Sequence, residues 1–145
     1  MNKEKQLMSN VRDVFNKLRW LNKSTMEIYL KGTTPSEVHC IESIRLNKDS
    51  NVQKIAETLY MTRGAISKLT KKLVKKNLIE SYRKTDNKKE IYFRLTKGGE
   101  EIFKIHEDLH KQFLKRDSLV FEQMSEEEYH HIINFLKIYS AHLDS

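Results

Sequence analysis

The chain has 145 residues, 38% of them hydrophobic, with one proline, four glycines and one cysteine, and a formal net charge of +7. That length suits one domain with extensions, and the scarcity of helix breakers favours a mainly α protein over a disordered or fibrous one. A lone cysteine excludes an internal disulfide framework and a multi-cysteine zinc ribbon; no apolar run of eighteen residues is present to cross a bilayer, and the polar opening lacks a signal-peptide core, so the chain reads as cytoplasmic.

The distribution of charge says more than its total. Between Arg63 and Lys97 lie twelve basic residues and three acidic ones, a balance of +9, while the remainder carries fifteen basic against seventeen acidic, or −2. Positive charge gathered in one quarter of a chain is the footprint of a nucleic-acid-binding surface on a near-neutral scaffold.

In chain order, Leu7, Val11, Val14, Phe15, Leu18, Leu21 and Ile28 recur at helical spacing and predict a long amphipathic helix over about 5–30, closed by Lys31 and Gly32. Thr34-Pro35-Ser36-Glu37 then carries the marks of a helix start, with Thr34 as N-cap, Pro35 in the first turn and Glu37 completing a capping box. A second helix is expected to reach about Leu46. Asn47-Lys48-Asp49-Ser50 is a polar turn, and Asn51 caps a short third helix with Val52, Ile55, Ala56 and Leu59 turned inward. Tyr60-Met61-Thr62 makes a tight connection to a fourth helix, in which Ile66, Leu69 and Leu73 form an apolar stripe.

At about 100° per residue, Gly64, Ser67, Lys68, Lys71 and Lys75 fall on the face opposite that stripe. Small residues early and lysines later suit a helix whose first turns approach base edges while its later turns hold phosphates. A solvated lysine-rich face is the plain alternative, and the surroundings argue against it. A short helix precedes this one across a tight turn, which makes the pair a helix-turn-helix. After Asn77 has ended the fourth helix, strands are expected over 78–83 and 90–95, the second with Ile91, Phe93 and Leu95 on one face and Glu90, Tyr92 and Arg94 on the other. The connection Lys84-Thr85-Asp86-Asn87-Lys88-Lys89 gives this hairpin a charged tip, as in a wing that contacts the minor groove or the flanking backbone.

Thr96 caps a fifth helix running to about Arg116, with Gly98 and Gly99 expected to weaken its first turn. Ser125-Glu126-Glu127-Glu128 is another capping box and opens a last helix carrying Tyr129, Ile132, Ile133, Leu136, Tyr139 and Leu143. The first and last helices need a partner for their apolar stripes, and a two-fold homodimer supplies one. Such a dimer sets two recognition helices about 34 Å apart on a pseudo-palindromic site.

From "Ile66-Ser67-Lys68-Leu69" through "Leu73-Val74-Lys75-Lys76-Asn77-Leu78-Ile79" to "Leu95-Thr96-Lys97-Gly98-Gly99", and in the order of its elements, nearly the whole chain resembles the MarR family of bacterial transcription regulators. The resemblance implies a single domain over 1–145: a winged helix-turn-helix lobe over about 34–96, flanked by dimerisation helices over about 5–30 and 97–145. It further implies a homodimeric repressor of double-stranded operator DNA, released by a small-molecule effector, and no catalytic activity. The expected DNA-binding residues are Thr62, Arg63, Gly64, Ala65, Ser67, Lys68, Lys71, Lys75, Arg83, Lys88, Lys89 and Arg94. One departure lies in the wing, where the family commonly shows Asp-x-Arg and this chain has Asn87-Lys88-Lys89. Lysine enters a narrow minor groove less readily than arginine, so the wing lysines are assigned to phosphates.

Sensor chemistry has several candidates. Trp20, His39, Cys40, His106 and His110 are the expected lining of an effector pocket. His106 and His110 stand at i and i+4, a spacing that faces one way, and with His39 and Cys40 they form the alternative of a zinc site; otherwise no metal or cofactor is expected. Cys40 reads as an inert buried thiol rather than an oxidant sensor, since Glu37 and Glu42 oppose a lowered pKa. No glycine-rich phosphate loop, no nucleophile beside a base and no carboxylate pair points to an enzyme.

Overall fold

The computed structural model describes residues 2–145, which form α1 (Lys3–Tyr29), α2 (Pro35–Leu46), α3 (Val52–Leu59), α4 (Arg63–Lys75), β1 (Ile79–Lys84), β2 (Asn87–Leu95), α5 (Lys97–Arg116), α6 (Ser118–Glu122) and α7 (Glu126–Leu143). Two compact units share these elements. The first ends at Leu109 and the second runs from His110 to Ser145, so α5 contributes to both. No helix among the described residues is long and apolar enough to cross a membrane.

Local chemistry sets most helix boundaries in the first unit. Asn2 caps α1 by accepting from the Lys5 amide at 2.8 Å, and the chain leaves that helix through Leu30 and Gly32, the latter at φ +92, where a side chain would be strained. The Thr34 capping box is complete: the Glu37 amide donates to Thr34 Oγ1 at 3.2 Å and the Thr34 amide to Glu37 Oε1 at 2.9 Å. Asn51 caps α3 and Thr62 caps α4, accepting from Lys54 and Ala65 amides at 2.8 and 3.1 Å.

Both α3 and α4 end in the left-handed conformation, at Tyr60 (φ 54) and Asn77 (φ 59). In each case the following amide reaches back five residues, Met61 to the Ala56 carbonyl and Leu78 to the Leu73 carbonyl, both at 3.0 Å. These two reversals fix how α4 enters and leaves the lobe. Tyr60 holds this conformation without being glycine, which carries a local steric cost.

The core of the first unit joins α2 (Cys40, Ile41, Ile44), α3 (Ile55, Ala56), α4 (Ile66, Leu69, Leu73), β1 (Ile79) and β2 (Phe93), with Val52, Leu59, Met61, Leu78, Leu95, Ile102 and Phe103 packed at its edge. The apolar stripe of α4 is thus spent inward as its spacing predicts. The hairpin pairs Ile79 with Leu95, Glu80 with Arg94, Ser81 with Phe93 and Tyr82 with Tyr92, then shifts register before Lys84 pairs with Asn87. Its turn is only Thr85 and Asp86, so β2 begins three residues earlier than the expected 90. A further bridge, the Phe93 amide on the Ser50 carbonyl at 2.8 Å, ties the hairpin to the turn before α3.

One other expectation changes. Gly99 is not a weakness of α5: a Cβ there would meet the Leu78 carbonyl oxygen at 2.1 Å, so glycine permits the close approach of the helix to the end of α4's connection. Tyr92, on the face of β2 opposite Phe93, is equally buried, and Ile91 is the exposed one. In the second unit α6 is an addition, while α7 has its predicted capping box, with the Glu128 amide on Ser125 Oγ at 3.1 Å and the Ser125 amide on Glu128 Oε1 at 3.0 Å. No residue of α1, α6 or α7 is buried, and Leu7, Val14, Phe15, Leu18, Leu21, Ile132, Ile133 and Leu136 are all exposed.

Candidate nucleic-acid interface

The exposed face of α4 follows from burying the other one. With Ile66, Leu69, Thr70 and Leu73 inward, Thr62, Arg63, Gly64, Lys68, Lys71, Lys72 and Lys75 are exposed, and Ala65 and Ser67 are half-buried at the margin. No hydrogen bond or ion pair among the described residues engages the side chains of Arg63, Lys68, Lys71, Lys72 or Lys75. Around Gly64 no atom lies within 4 Å of where a Cβ would be, so its lack of a side chain serves no internal contact. The result is a first turn left open at Gly64 within a row of uncommitted cations from Arg63 to Lys75, a form that fits a polyanion with structured edges. Lys72 belongs with this row and was not among the residues singled out from the pattern; its place beside Lys71 on the surface could have been read from the same helical spacing.

The end of α4 behaves differently. Lys76 Nζ lies 2.8 Å from both carboxylate oxygens of Glu37 and donates to the Gly32 carbonyl at 2.9 Å. Glu37 is 1% exposed. Burial by itself would raise its pKa, but the Lys76 ammonium and the Thr34 amide outweigh this and hold the carboxyl below the ordinary 4.5.

The hairpin also spends much of its charge on itself. Lys84 Nζ pairs with Asp49 at 2.7 Å and sits 4.8 Å above the Tyr92 ring, and Tyr82 donates its hydroxyl to the same Asp49 at 2.7 Å. Hydrogen bonds from Lys84 and Tyr82 lower the pKa of Asp49. Arg94 pairs with Glu80 at 2.8 Å and lies 4.9 Å from the Tyr82 ring centroid. Arg83, at the register shift, donates to the Lys88 carbonyl. At the tip Asn87 Oδ1 accepts from the amides of Lys89 and Glu90 at 3.3 and 3.2 Å, closing a small turn that leaves the Lys88 and Lys89 side chains exposed. Of the hairpin residues expected at an interface, Lys88 and Lys89 therefore present free ammonium groups, whereas Arg83 and Arg94 brace the strands that carry them.

Within the first unit the sensor residues lie in different settings. Trp20 is 79% exposed on α1. His39 is exposed, with its ring centroid 6.3 Å from that of His106, and His106 is buried with Nδ1 3.1 Å from Glu42 Oε2. Cys40 has no exposed surface, and burial followed by the charge of Glu37 pushes its thiol up to about 12. Such a thiol stays protonated and unreactive at neutral pH. His110 lies in the second unit against Phe113, ring centroids 6.0 Å apart. Among the described residues no group of three or more His, Cys, Asp and Glu side chains is placed to hold a metal ion.

A helix-turn-helix with an exposed basic second helix, followed by a two-stranded wing, defines a winged helix-turn-helix protein. The MarR family model matches residues 33–91, from the start of α2 into β2. The chain is 34% identical over 110 residues to the HTH-type transcriptional regulator PchR of Bacillus subtilis, a match that covers 76% of this chain and 65% of PchR, so the chain spans just under two thirds of that relative's length. Among solved structures, FabT of Streptococcus pneumoniae, crystallised in complex with DNA, has the same fold at a TM-score of 0.84 and 22% identity, with 98% of each chain covered. MarR of Staphylococcus aureus, in complex with salicylate and kanamycin, matches at a TM-score of 0.78 and 16% identity over 98% of this chain and 93% of its own. The chain is thus similar to the MarR family over residues 33–91, and its fold is that of these solved structures.

Proposed function

We propose that the chain is a cytoplasmic, homodimeric transcription regulator that binds double-stranded operator DNA through α4 and the hairpin, represses from that site, and is released by a small-molecule effector. The observation that carries this reading is the exposed face of α4, where Gly64 leaves the first turn open and the cations from Arg63 to Lys75 have no side-chain partner among the described residues. Gly64, Ala65, Ser67 and Lys68 approach base edges in the major groove. Thr62, Arg63, Lys71 and Lys75 hold phosphates, and Lys88 and Lys89 add backbone contacts from the wing. Support comes from FabT, whose solved structure contains DNA, and the bound salicylate and kanamycin of the Staphylococcus aureus relative favour a small-molecule effector.

Dimerisation is favoured by the apolar residues of α1, α6 and α7, none of which is buried within the chain. Exposed apolar surface on this scale marks a protein interface, and a two-fold pair supplies two copies of α4 for a pseudo-palindromic site. The test is selection of duplexes from a random pool by the intact chain. Enrichment of a two-fold symmetric sequence, bound at least 1000-fold more tightly than scrambled duplex on the order expected for specific recognition, supports the reading. Equal affinity for selected and scrambled duplex overturns it.

A further inference from the structure

Lys76 stands at the end of the basic helix, yet its ammonium is turned away from the row formed by Lys68, Lys71 and Lys75. It reaches back 44 residues to the Gly32 carbonyl at 2.9 Å and 39 residues to the Glu37 carboxylate at 2.8 Å. Three features show that this clasp is built rather than incidental. Gly32 adopts φ +92, a conformation that few other residues take, and so presents its carbonyl at the α1–α2 turn. Glu37 is buried and already fixed by the Thr34 amide through the capping box. Its Oε2 has no hydrogen bond of its own and depends on the Lys76 charge 2.8 Å away.

We propose that Lys76 is a positioning residue for DNA recognition: it locks the C-terminal end of α4 to the α1–α2 turn, and thereby sets the angle at which the recognition helix is held relative to α1. This rests on the reading of α4 as the DNA-binding helix and of α1 as part of the dimer. In such a dimer the distance between two recognition helices depends on how each is held to its own dimer helix, so the clasp governs which half-site spacing is accepted. A residue that merely held phosphate would act on every duplex alike.

Removing Lys76 alone leaves a buried carboxylate uncompensated, so the informative variant is the pair Lys76→Met with Glu37→Gln. Glutamine keeps the acceptor that the Thr34 amide needs, because a capping box accepts either residue. Thermal unfolding checks that the paired variant folds. Binding is then measured on duplexes selected by the wild-type chain, on the same duplexes with one base pair added or removed between half-sites, and on a single half-site, each across a salt series. The clasp predicts about a tenfold loss on the selected duplex, a smaller preference for its spacing, unchanged half-site binding and an unchanged salt slope. A slope shallower by about one would make Lys76 a phosphate contact, and retained spacing preference would make the clasp irrelevant to recognition; either overturns the proposal. Failure of the wild-type chain to prefer the selected duplex would instead overturn the functional reading beneath it. Lys71→Ala separates the two cases, since it shallows the slope while keeping the spacing preference.

Discussion

Arg63, Lys68, Lys71, Lys72 and Lys75 on α4 have no side-chain partner among the described residues, whereas on the hairpin Lys84 is held by Asp49, Arg94 by Glu80 and Arg83 by the Lys88 carbonyl. By sequence these are one basic region with a balance of +9. By structure they are a surface and a brace. The contrast shows that a local charge count bounds a binding face without locating it, because a cation already paired inside the protein has less to gain from a phosphate. On the hairpin the free charge narrows to Lys88 and Lys89 at the tip, which stiff strands present.

The largest predicted effect tests how firmly the hairpin's base is built in compared with the open face of α4. Gly99→Ala drives a methyl against the Leu78 carbonyl, and an expected loss above about 2 kcal/mol is read from urea unfolding. Gly64→Ala, where nothing lies within 4 Å, is expected to stabilise the helix by about 0.5 to 1 kcal/mol while weakening DNA binding, because the added methyl faces the groove. Loss of stability at both positions would remove the distinction.

Next come the two adjacent lysines at the end of α4. Lys76→Met strands the buried Glu37 and is expected to cost about 2 kcal/mol, below the range for fully enclosed pairs because Lys76 is partly in solvent. Lys75→Met is expected to stay within about 0.5 kcal/mol. The same clasp has a pH signature. Because Glu37 titrates below its ordinary 4.5 when folded, its stabilising contribution is full above about that pH and fades as pH falls through the folded-state value. Acid unfolding monitored by circular dichroism should therefore be less steep in the Lys76→Met, Glu37→Gln pair than in the wild type. A smaller effect is expected of Lys84→Ala, which frees Asp49 and loosens the wing: a modest fall in DNA affinity with the salt slope unchanged. The smallest concerns Cys40, which should resist a thiol-specific reagent until the chain is unfolded, leaving DNA affinity untouched by mild oxidant.

What could be read in the sequence, and what could not, divides by distance along the chain. The caps at Thr34, Asn51, Thr62 and Ser125 were legible because each bond spans three residues and leaves a local signature. The inward stripe of α4 was legible because helical spacing alone separates Ile66, Leu69 and Leu73 from the lysines. The pairing of Lys76 with Glu37, of Lys84 with Asp49, and the contact of Gly99 with Leu78 were not, since each depends on elements folding together across 21 to 39 residues that carry no shared pattern. Tyr92 was placed on the correct face of its strand, but its burial comes from Tyr82 and the Lys84 stem covering it. The five-residue α6 escaped notice because Asp117 supplies no side-chain cap and the segment is too short for a period.

The claim that α4 rather than the hairpin base carries the phosphate contacts is tested most directly by the salt dependence of operator binding in two variants. For Lys71→Ala with Lys75→Ala, the plot of log affinity against log salt should become shallower by about two, one for each lost phosphate contact, whereas Lys84→Ala should leave it parallel to wild type. A slope unchanged by the α4 pair, or shallowed by Lys84→Ala instead, would contradict the account.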